Sequence, residues 1–413
     1  MEENKKKIVK NTNNGVNNQP TNKKEKLGDA AKAYEHYKKL KTDFELASTY
    51  RKKNNKKTVA PEEKEIDNGL HIGIVGIGGV GTPIAVLLAS KGYDVEVTKK
   101  NTDDLMIDNL VNLEINGEFG NKSYLVPCVQ NNKFTSKKDI IIMCTQSYST
   151  AGALTDVKKY LKPSGIVISM QNVLNFNEIV KVIPRERYIP LIIDWTATRI
   201  ANNQVIVLRK GDMHIGVLDE KAKTYLPLVK KIFDDIQPTI IQKDMLSFIA
   251  SRFVLSSTLS CVLALTGHNL KKTATNKVAK KLIVGTINEM IDVFEAYKVD
   301  IPPYCDILDY YQFTEKSLKG WWYRKIMFHR FIRKNGTMSS SILRALENKK
   351  RTELDSMCNR IVEMAKVKEM QVPFNETISN FLYDVEEGQE TIFMENLTKP
   401  CFTNLKINWR SLW

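Results

Sequence analysis

Cysteine is scarce in this 413-residue chain, and its few copies are scattered. The six cysteines form no Cys-x-x-Cys pair and no cluster with histidine; they are Cys128, Cys144, Cys261, Cys305, Cys358 and Cys401. This pattern excludes the usual zinc spacings and argues against a disulfide framework. We therefore expect no metal site, and a reducing compartment, the cytoplasm.

Long apolar runs are also absent from the sequence. Residues 1–7, with two acids and three lysines, lack the apolar core of a secretory signal. No stretch of about 18 apolar residues escapes interruption by glycine or a polar residue, so we predict no membrane span and no membrane partner.

Positive charge is abundant but unevenly distributed. The chain has a formal charge of +15, of which residues 1–60 carry +9 and all the remaining residues only +6. A basic tail could bind RNA or an acidic lipid surface. A solvated Asn/Lys-rich extension is the simpler interpretation, so nucleic acid is not an expected partner. We assign residues 1–68 to a low-complexity extension and linker, disordered to about residue 28, with a modest helix over 27–50.

From Leu70 onward, apolar strand patterns alternate with helical ones. Strands are predicted over residues 70–75, 94–98, 140–144, 165–170 and 187–194, and a helix over 154–161. This alternation is typical of a doubly wound parallel sheet, an α/β Rossmann domain. We place that domain at residues 69–236, with an antiparallel extension over 204–210 and 214–218.

The second half of the chain has helical patterns only. We predict helices over 244–266, closed by Gly267 as a C-cap, over 279–297 and over 341–369. The fold class is thus an α/β Rossmann domain followed by an all-α domain at 237–395, for substrate binding and dimerisation, with a tail at 396–413. The site is expected at the joint between the two domains.

A glycine-rich motif lies between the first strand and the first helix of the Rossmann domain. The sequence Gly76-Ile77-Gly78-Gly79-Val80-Gly81 fits G-x-G-x-x-G in the context that the motif requires. Gly76 permits the tight turn, Gly78 lets the backbone approach a diphosphate, and Gly81 allows close packing of helix on strand. The N–H groups at the start of that helix would bind the phosphate charge. The motif predicts a bound nicotinamide dinucleotide.

The end of the second strand indicates the phosphorylated cofactor, NADP(H). An NAD site usually offers an acid there, whereas this chain has Lys99 and Lys100, which suit a 2′-phosphate. Asp103 and Asp104 follow closely, so NAD stays open as an alternative.

Several segments resemble the ketopantoate reductase family, whose members reduce 2-dehydropantoate with NADPH. The resemblance runs from about residue 70 to 387 and rests on the glycine-rich turn and on residues 144–148, 169–173, 264–267 and 351–355. It implies a Rossmann domain joined to a helical domain, a small 2-oxo acid as substrate, and allows a homodimer.

The resemblance also implies roles for single residues. Asn172 matches an asparagine near the nicotinamide and substrate, Glu353 matches a substrate-binding acid, and Ser341 matches a serine that holds the substrate. Other positions depart from the family. Its catalytic lysine is Arg252 here, two asparagines on the same helix are Ser256 and Ser260, a third is Met338, and a lysine after the fourth strand is Gln146.

The exchange of lysine for arginine matters chemically. A buried lysine can donate a proton to a carbonyl oxygen, whereas an arginine, with a pKa above about 12, is a poor donor near neutrality. Arginine can still polarise a carbonyl or clamp a carboxylate. Arg252, Ser256 and Ser260 share one helix face, which lines the site or faces solvent.

Two functions therefore compete. One is NADPH-dependent reduction of a 2-oxo acid, most simply 2-dehydropantoate, at a modified substrate site. The alternative is a catalytically weak cofactor-binding protein that acts as a sensor or scaffold. A segment with an unusual mixture of aromatic and basic residues, 320–330, is a candidate lid, partner site or nucleic-acid contact, but packing against the helical domain is its commoner use.

Overall fold

The computed structural model describes residues 69–99, 109–171, 173–304 and 308–407. The extension at 1–68, together with Lys100, Asp103, Asp104 and Asn172, lies outside the described residues.

Eleven strands of the described chain form one mixed sheet. They are β1 (His71–Val75), β2 (Asp94–Lys99), β3 (Leu110–Gly117), β4 (Lys122–Gln130), β5 (Lys138–Met143), β6 (Leu161–Ser169), β7 (Tyr188–Ile193), β8 (Thr196–Ala201), β9 (Gln204–Arg209), β10 (Met213–Ile215) and β11 (Thr239–Ile241). Their order is β11-β10-β7-β6-β5-β1-β2-β4-β3-β9-β8.

The centre of this sheet is the predicted parallel layer. The strands from β7 through β6, β5, β1 and β2 to β4 are parallel, with β1 between β2 and β5. Four of the five residues of β1 are buried, because helices or loops cover both faces. An antiparallel extension exists on both sides: β3 and β4 pair antiparallel, as do β8 and β9, and β10 pairs antiparallel to β7. The sheet ends with β11, whose last residue, Ile241, lies beyond the end of the Rossmann domain that the sequence predicts at residue 236.

The described residues also form thirteen α-helices, most of them in the second half of the chain. All described α-helices are α1 (Gly81–Ser90), α2 (Ser147–Val157), α3 (Phe176–Val180), α4 (Leu226–Asp234), α5 (Met245–Thr266), α6 (Leu270–Thr273), α7 (Lys277–Ala296), α8 (Tyr310–Thr314), α9 (Leu318–Asn335), α10 (Ser341–Glu347), α11 (Cys358–Val367), α12 (Pro373–Glu386) and α13 (Pro400–Thr403). The fold class predicted from the sequence is confirmed.

Helix α5 is the core of the helical domain. Asp244 caps its start by accepting a hydrogen bond from the Ser247 backbone N–H, and Gly267 ends it with a left-handed φ of 68°. The helix is long and apolar enough to cross a membrane, but 83% of its most apolar window is buried inside the protein. It is a core helix, which explains its composition.

The predicted helix over 341–369 is wrong as a single element. It breaks into α10 and α11, with Lys349 at a left-handed φ of 51° between them. Thr352 stabilises the break, because its backbone N–H and its hydroxyl both donate to the Glu386 carboxylate at 2.9 Å. As a result, Glu353 lies in a loop and not within a helix.

One face of the sheet and the helical domain share a single apolar core. Residues of β1, β5 and β6, such as Val75, Ile141 and Val167, belong to the same buried cluster as the residues of α5 and α7. The opposite face packs on α1 and α4 in a second cluster. The two domains are therefore joined by core packing, and the cleft opens beside that joint.

Candidate active site

A cleft of about 910 Å³ lies where the Rossmann and helical domains meet. Its lining comes from the glycine-rich turn, the ends of β2 and β5, the start of α2, strand β8, helix α10 and the loop after α10. The predicted site residues in this lining are Gly76, Ile77, Gly78, Gly79, Lys99, Gln146, Ser341 and Glu353. Val80 and Gly81 start α1 directly behind the turn, whereas Arg252, Ser256 and Ser260 are outside the lining.

The glycine-rich turn has the geometry that a diphosphate needs. Gly76 adopts a left-handed φ of 96°, and a Cβ at Gly78 would have no heavy atom within 4 Å, so the backbone there faces open space. A Cβ at Gly81 would lie 1.9 Å from the Gly76 carbonyl oxygen, so only glycine lets α1 approach the turn. The turn therefore fits a dinucleotide, with Gly78 toward the diphosphate and the N-terminal end of α1 beside it.

A pair of cations lies at the end of the cleft formed by β2 and β8. Lys99 ends β2, and Arg199 extends from β8. Burial and, to a smaller extent, the nearby positive charge of Arg199 lower the pKa of Lys99. Arg199 was not predicted from the sequence, because nothing in its local pattern indicates that β8 returns to the end of β2.

The remaining charged side chains of the cleft are mostly basic too. Arg344, Lys350 and Arg351 line it from the helical domain, against the acids Asp156 and Glu353. Arg351 stacks over the Tyr148 ring at 5.1 Å and pairs with Asp355 at 3.1 Å, which connects the loop after α10 to α2. The cleft therefore suits an anionic ligand.

Glu353 joins the two domains at the start of α2. Its carboxylate accepts a hydrogen bond from the Ser147 backbone N–H at 2.8 Å. With its amide nitrogen turned toward Glu353, Gln146 donates to both carboxylate oxygens, at 3.0 and 2.7 Å. A negative charge is favourable there, because the N-terminus of a helix carries partial positive charge.

The polar stripe on α5 is the least buried side of that helix. Phe248, Ser256 and Ser260 are half-buried, whereas the other residues within α5 are buried. The Ser256 hydroxyl donates to the Phe253 carbonyl at 3.3 Å, and the Ser260 carbonyl accepts from Ser340 at 2.6 Å. The stripe thus reaches the start of α10, where Ser341 lines the cleft.

Arg252 is buried in an ion-pair network beside the stripe. Its guanidinium bonds to Asp194, which follows β7, and lies over the rings of Phe248 and Tyr304 at 5.0 and 4.5 Å. His214 contacts the same Asp194 oxygen at 3.1 Å. Burial opposes ionisation of Asp194, but the hydrogen bond from His214 and the charge of Arg252 outweigh it and lower the pKa of Asp194.

This network lies at the carboxyl edge of the sheet. Asp194 follows β7, and the neighbouring strand β6 leads directly to Gln171 and position 172. Ligands of doubly wound sheets bind in the crevice outside this edge. Among the described residues, no group of three or more His, Cys, Asp or Glu side chains could hold a metal ion.

Family sequence profiles match both halves of the chain. The profile described as "Ketopantoate reductase PanE/ApbA" matches residues 72–220, and its C-terminal counterpart matches residues 244–386. The chain belongs to the ketopantoate reductase family. Members of this family are nicotinamide-dependent reductases of 2-oxo acids, and the predicted resemblance is confirmed.

Relatives of this family are distant in sequence. The 2-dehydropantoate 2-reductase of Aquifex aeolicus is 23% identical over 320 residues, which span 75% of this chain and 94% of the relative. That of Pyrococcus abyssi is 22% identical over 344 residues, which span 78% of this chain and 99% of the relative.

Several solved structures share the fold of this chain. A D-mandelate dehydrogenase with NADH and anilino(oxo)acetate has a TM-score of 0.67 at 16% identity, covering 77% of this chain and 99% of its own. A PanE/ApbA family ketopantoate reductase from Ralstonia eutropha JMP134 has a TM-score of 0.66 at 16% identity, covering 78% and 100%. Some members are dimeric, such as a ketopantoate reductase from Staphylococcus aureus with a TM-score of 0.62 at 14% identity, covering 78% and 100%.

Proposed function

We propose that this chain reduces a 2-oxo acid with NADPH, and that 2-dehydropantoate is its simplest substrate. The observation that carries the proposal is one cleft with a dinucleotide turn, a cation pair at the end of β2, and Glu353 and Ser341 on the facing domain. The curated 2-dehydropantoate 2-reductases support the substrate, and D-mandelate dehydrogenase supports a 2-oxo acid more generally.

The turn from Gly76 to Gly81 would hold the diphosphate of the cofactor. Lys99 and Arg199, with Lys100 next in the chain, would hold a 2′-phosphate through charge-assisted hydrogen bonds. Gln146, at the start of α2, and Asn172 would lie near the nicotinamide, which supplies a hydride when it is bound in reduced form.

The helical domain would hold the substrate. Glu353 and Ser341 would accept and donate hydrogen bonds at its far end. Ser256 and Ser260, which lie outside the lining of the cleft on the half-buried side of α5, would border its side. Arg252 would polarise the ketone or clamp the carboxylate, with Asp194 fixing its guanidinium. Because arginine is a poor acid, the proton would come from water or another side chain.

The first experiment is a steady-state assay of NADPH and NADH oxidation with a panel of 2-oxo acids. We expect turnover with NADPH in preference to NADH, and with 2-dehydropantoate among the accepted acids. Tight NADPH binding without oxidation by any acid would contradict the proposal. That result would support the second candidate, a sensor or scaffold, which is favoured by the engagement of Arg252 with Asp194.

Cofactor preference has its own test. The double variant Lys99→Gln/Arg199→Gln should raise the KM for NADPH at least about 100-fold, because each of the two residues loses a charge-assisted hydrogen bond of about 1.5–3 kcal/mol. The KM for NADH should change little. Arg209→Gln, an exposed arginine on neighbouring β9, is the matched control. Equal losses for both cofactors would contradict the assignment of the 2′-phosphate to this pair.

The proposal also covers the oligomeric state and the cellular compartment. A homodimer is supported by the dimeric member of the family. A reducing, cytoplasmic setting is supported by the free state of the described cysteines.

A further inference from the structure

Helix α9 exposes a line of large apolar side chains that the site does not use. Leu318, Trp322 and Ile326 are 73%, 53% and 46% exposed. They lie four residues apart, so they form one ridge along the outer side of the helix. Single exposed apolar residues are common on protein surfaces, but a contiguous apolar ridge that contains a tryptophan marks an interaction site.

The same helix is strongly basic and has no acid. Its exposed cations flank the ridge; they are Lys319, Lys325, Arg330, Arg333 and Lys334. The Lys325 ammonium lies over the rings of Trp321 and Trp322, at 4.9 and 6.0 Å, so charge and apolar surface are adjacent.

Two further exposed lysines extend this basic face. Lys271 and Lys272 belong to α6, which is joined to the end of α9 by backbone hydrogen bonds. The Lys271 N–H donates to the Gly336 carbonyl, and the Leu270 N–H donates to the Met338 carbonyl, both at 2.9 Å.

The inner side of α9 fixes its orientation. Phe328 and Phe331 are buried in the core of the helical domain. The buried Arg324 guanidinium donates to the carbonyls of Phe313 and Glu315 at 3.1 and 2.6 Å. These contacts hold the inner side of α9 against the helical domain, so the ridge faces outward.

Charge excludes one simple partner for this face, a second copy of the chain. Across a two-fold axis the same patch meets itself. The five exposed cations of one α9 would then lie against the five of the other, with no acid on either helix to pair with them.

We propose that α9 docks on an anionic lipid bilayer, in contrast to the sequence prediction of no membrane partner. A basic helix with exposed Trp, Leu and Ile is the composition that binds in the headgroup region, where the apolar side chains enter the acyl boundary and the cations meet anionic lipids. RNA binding would explain the cations and Trp322, but it would not explain why Leu318 and Ile326 are exposed.

The full-length protein and lipid vesicles test this directly. Phosphatidylcholine vesicles with and without about one third phosphatidylserine are compared by co-sedimentation, and vesicles with brominated acyl chains report tryptophan burial. We expect binding only to the anionic vesicles. The brominated lipids should quench the tryptophan emission of the parent protein, and this quenching should be smaller in Trp322→Phe. Quenching that is unchanged in Trp322→Phe would overturn the proposal, because another segment, such as the basic residues 1–60, would then make the contact.

Paired variants separate charge from apolar contact. Lys325→Gln/Arg330→Gln should weaken binding about 25-fold, at about fivefold per charge near an anionic surface. Trp322→Ala/Ile326→Ser should weaken it at least about tenfold. The matched controls are Leu125→Ala/Leu208→Ala, two equally exposed residues of the sheet, and Lys158→Gln/Lys159→Gln. NADPH binding by each variant checks the fold.

Two results would replace this partner by another. In the first, the protein binds vesicles weakly and binds RNA in a salt-sensitive way, and Lys325→Gln/Arg330→Gln abolishes the RNA binding. This result would overturn the lipid proposal in favour of nucleic acid. Equal losses in the α9 variants and the controls would show that net charge alone attracts the protein, and would overturn it as well.

Discussion

Residue 252 combines three contacts that a lysine could make only in part. The guanidinium of Arg252 bonds to Asp194 and stacks against Phe248 and Tyr304. A planar guanidinium can lie flat on two aromatic rings while its edge hydrogen-bonds to a carboxylate, and a compact ammonium group cannot reproduce that stacking. The arginine is thus well held, and it gives up the acidity that an amine would bring to the reaction.

We predict that Arg252→Lys raises the rate of ketone reduction and lowers the free energy of unfolding by about 1–2 kcal/mol. The lysine amine can donate a proton to the ketone oxygen, and a well-positioned acid typically accelerates such a reaction about 10²- to 10⁴-fold. The lost stacking explains the destabilisation. Steady-state kinetics and urea unfolding measure the two effects.

The control for this substitution is Arg360→Lys, another buried arginine of the helical domain, which pairs with Glu363 at 3.2 Å. It should change stability but not rate. If Arg252→Lys leaves the rate unchanged or lowers it, position 252 does not act on the substrate.

Glu353 gives a second prediction, since it faces the cleft and also caps α2. Glu353→Gln should raise the KM for the 2-oxo acid about 10- to 100-fold, because a hydrogen bond to a charged group contributes about 1.5–3 kcal/mol. The dissociation constant for NADPH, followed by fluorescence titration, should change less than about threefold. Glu347→Gln, an exposed acid at the end of α10, is the control.

The opposite pattern for Glu353→Gln, with NADPH weakened and KM unchanged, would indicate that this acid only joins the two domains. The sequence placed Glu353 in the site by resemblance alone. Its bond to Ser147 could not be predicted, because it depends on the loop that replaces the middle of the expected helix over 341–369.

At the scale of elements, α12 begins on a buried acid of α7. The Glu289 carboxylate accepts the backbone N–H groups of Phe374 and Asn375 at 2.7 and 2.9 Å. Burial raises the pKa of Glu289 to about 7 despite these hydrogen bonds. A helix start that is capped by a titrating acid makes the packing of α7 on α12 sensitive to pH.

This raised pKa predicts a pH dependence of stability. Between the ordinary value of 4.5 and about 7, the folded state holds a proton that the unfolded state has released. The stabilisation is therefore complete at low pH and is lost as the pH rises to 7, by roughly 3 kcal/mol in all. Chemical unfolding at several pH values should show this slope in the parent chain but not in Glu289→Gln.

The control for this slope is Glu295→Gln, an exposed acid on the same helix, which should keep it. A difference between parent and Glu289→Gln that does not vary with pH would mean that Glu289 stays ionised throughout.

Elements with strong local signals were predicted well from the sequence. The strands β1 and β2, and α5 with its glycine cap, follow from apolar patterns and caps that act over a few residues. The break between α10 and α11 was missed because Thr352 is held by Glu386, which is 34 residues away. In the same way, Lys99 was predicted as a cation at the end of β2, whereas Arg199 depends on sheet topology.

At the scale of the whole molecule, the shared core predicts a single unfolding transition. Sheet residues and the residues of α5 and α7 lie in one buried cluster, so neither domain can open without exposing the other. Far-ultraviolet circular dichroism and tryptophan fluorescence should give coincident melting curves. NADPH at about 100 times its dissociation constant should raise the melting temperature by about 4 °C.

The matched comparison is the Lys99→Gln/Arg199→Gln variant, whose melting temperature should respond less to NADPH at the same concentration. Two separate transitions in the parent chain would contradict the shared core and would restore two independently folding domains.

The joint between the domains also has a consequence for how the chain folds during synthesis. All the strands that the structure describes precede α5 in the chain, so the sheet face that α5 covers is exposed to water until residue 266 has left the ribosome. Nascent chains that pause in that interval carry bare Val75, Ile141 and Val167, which is the condition in which a chaperone is needed.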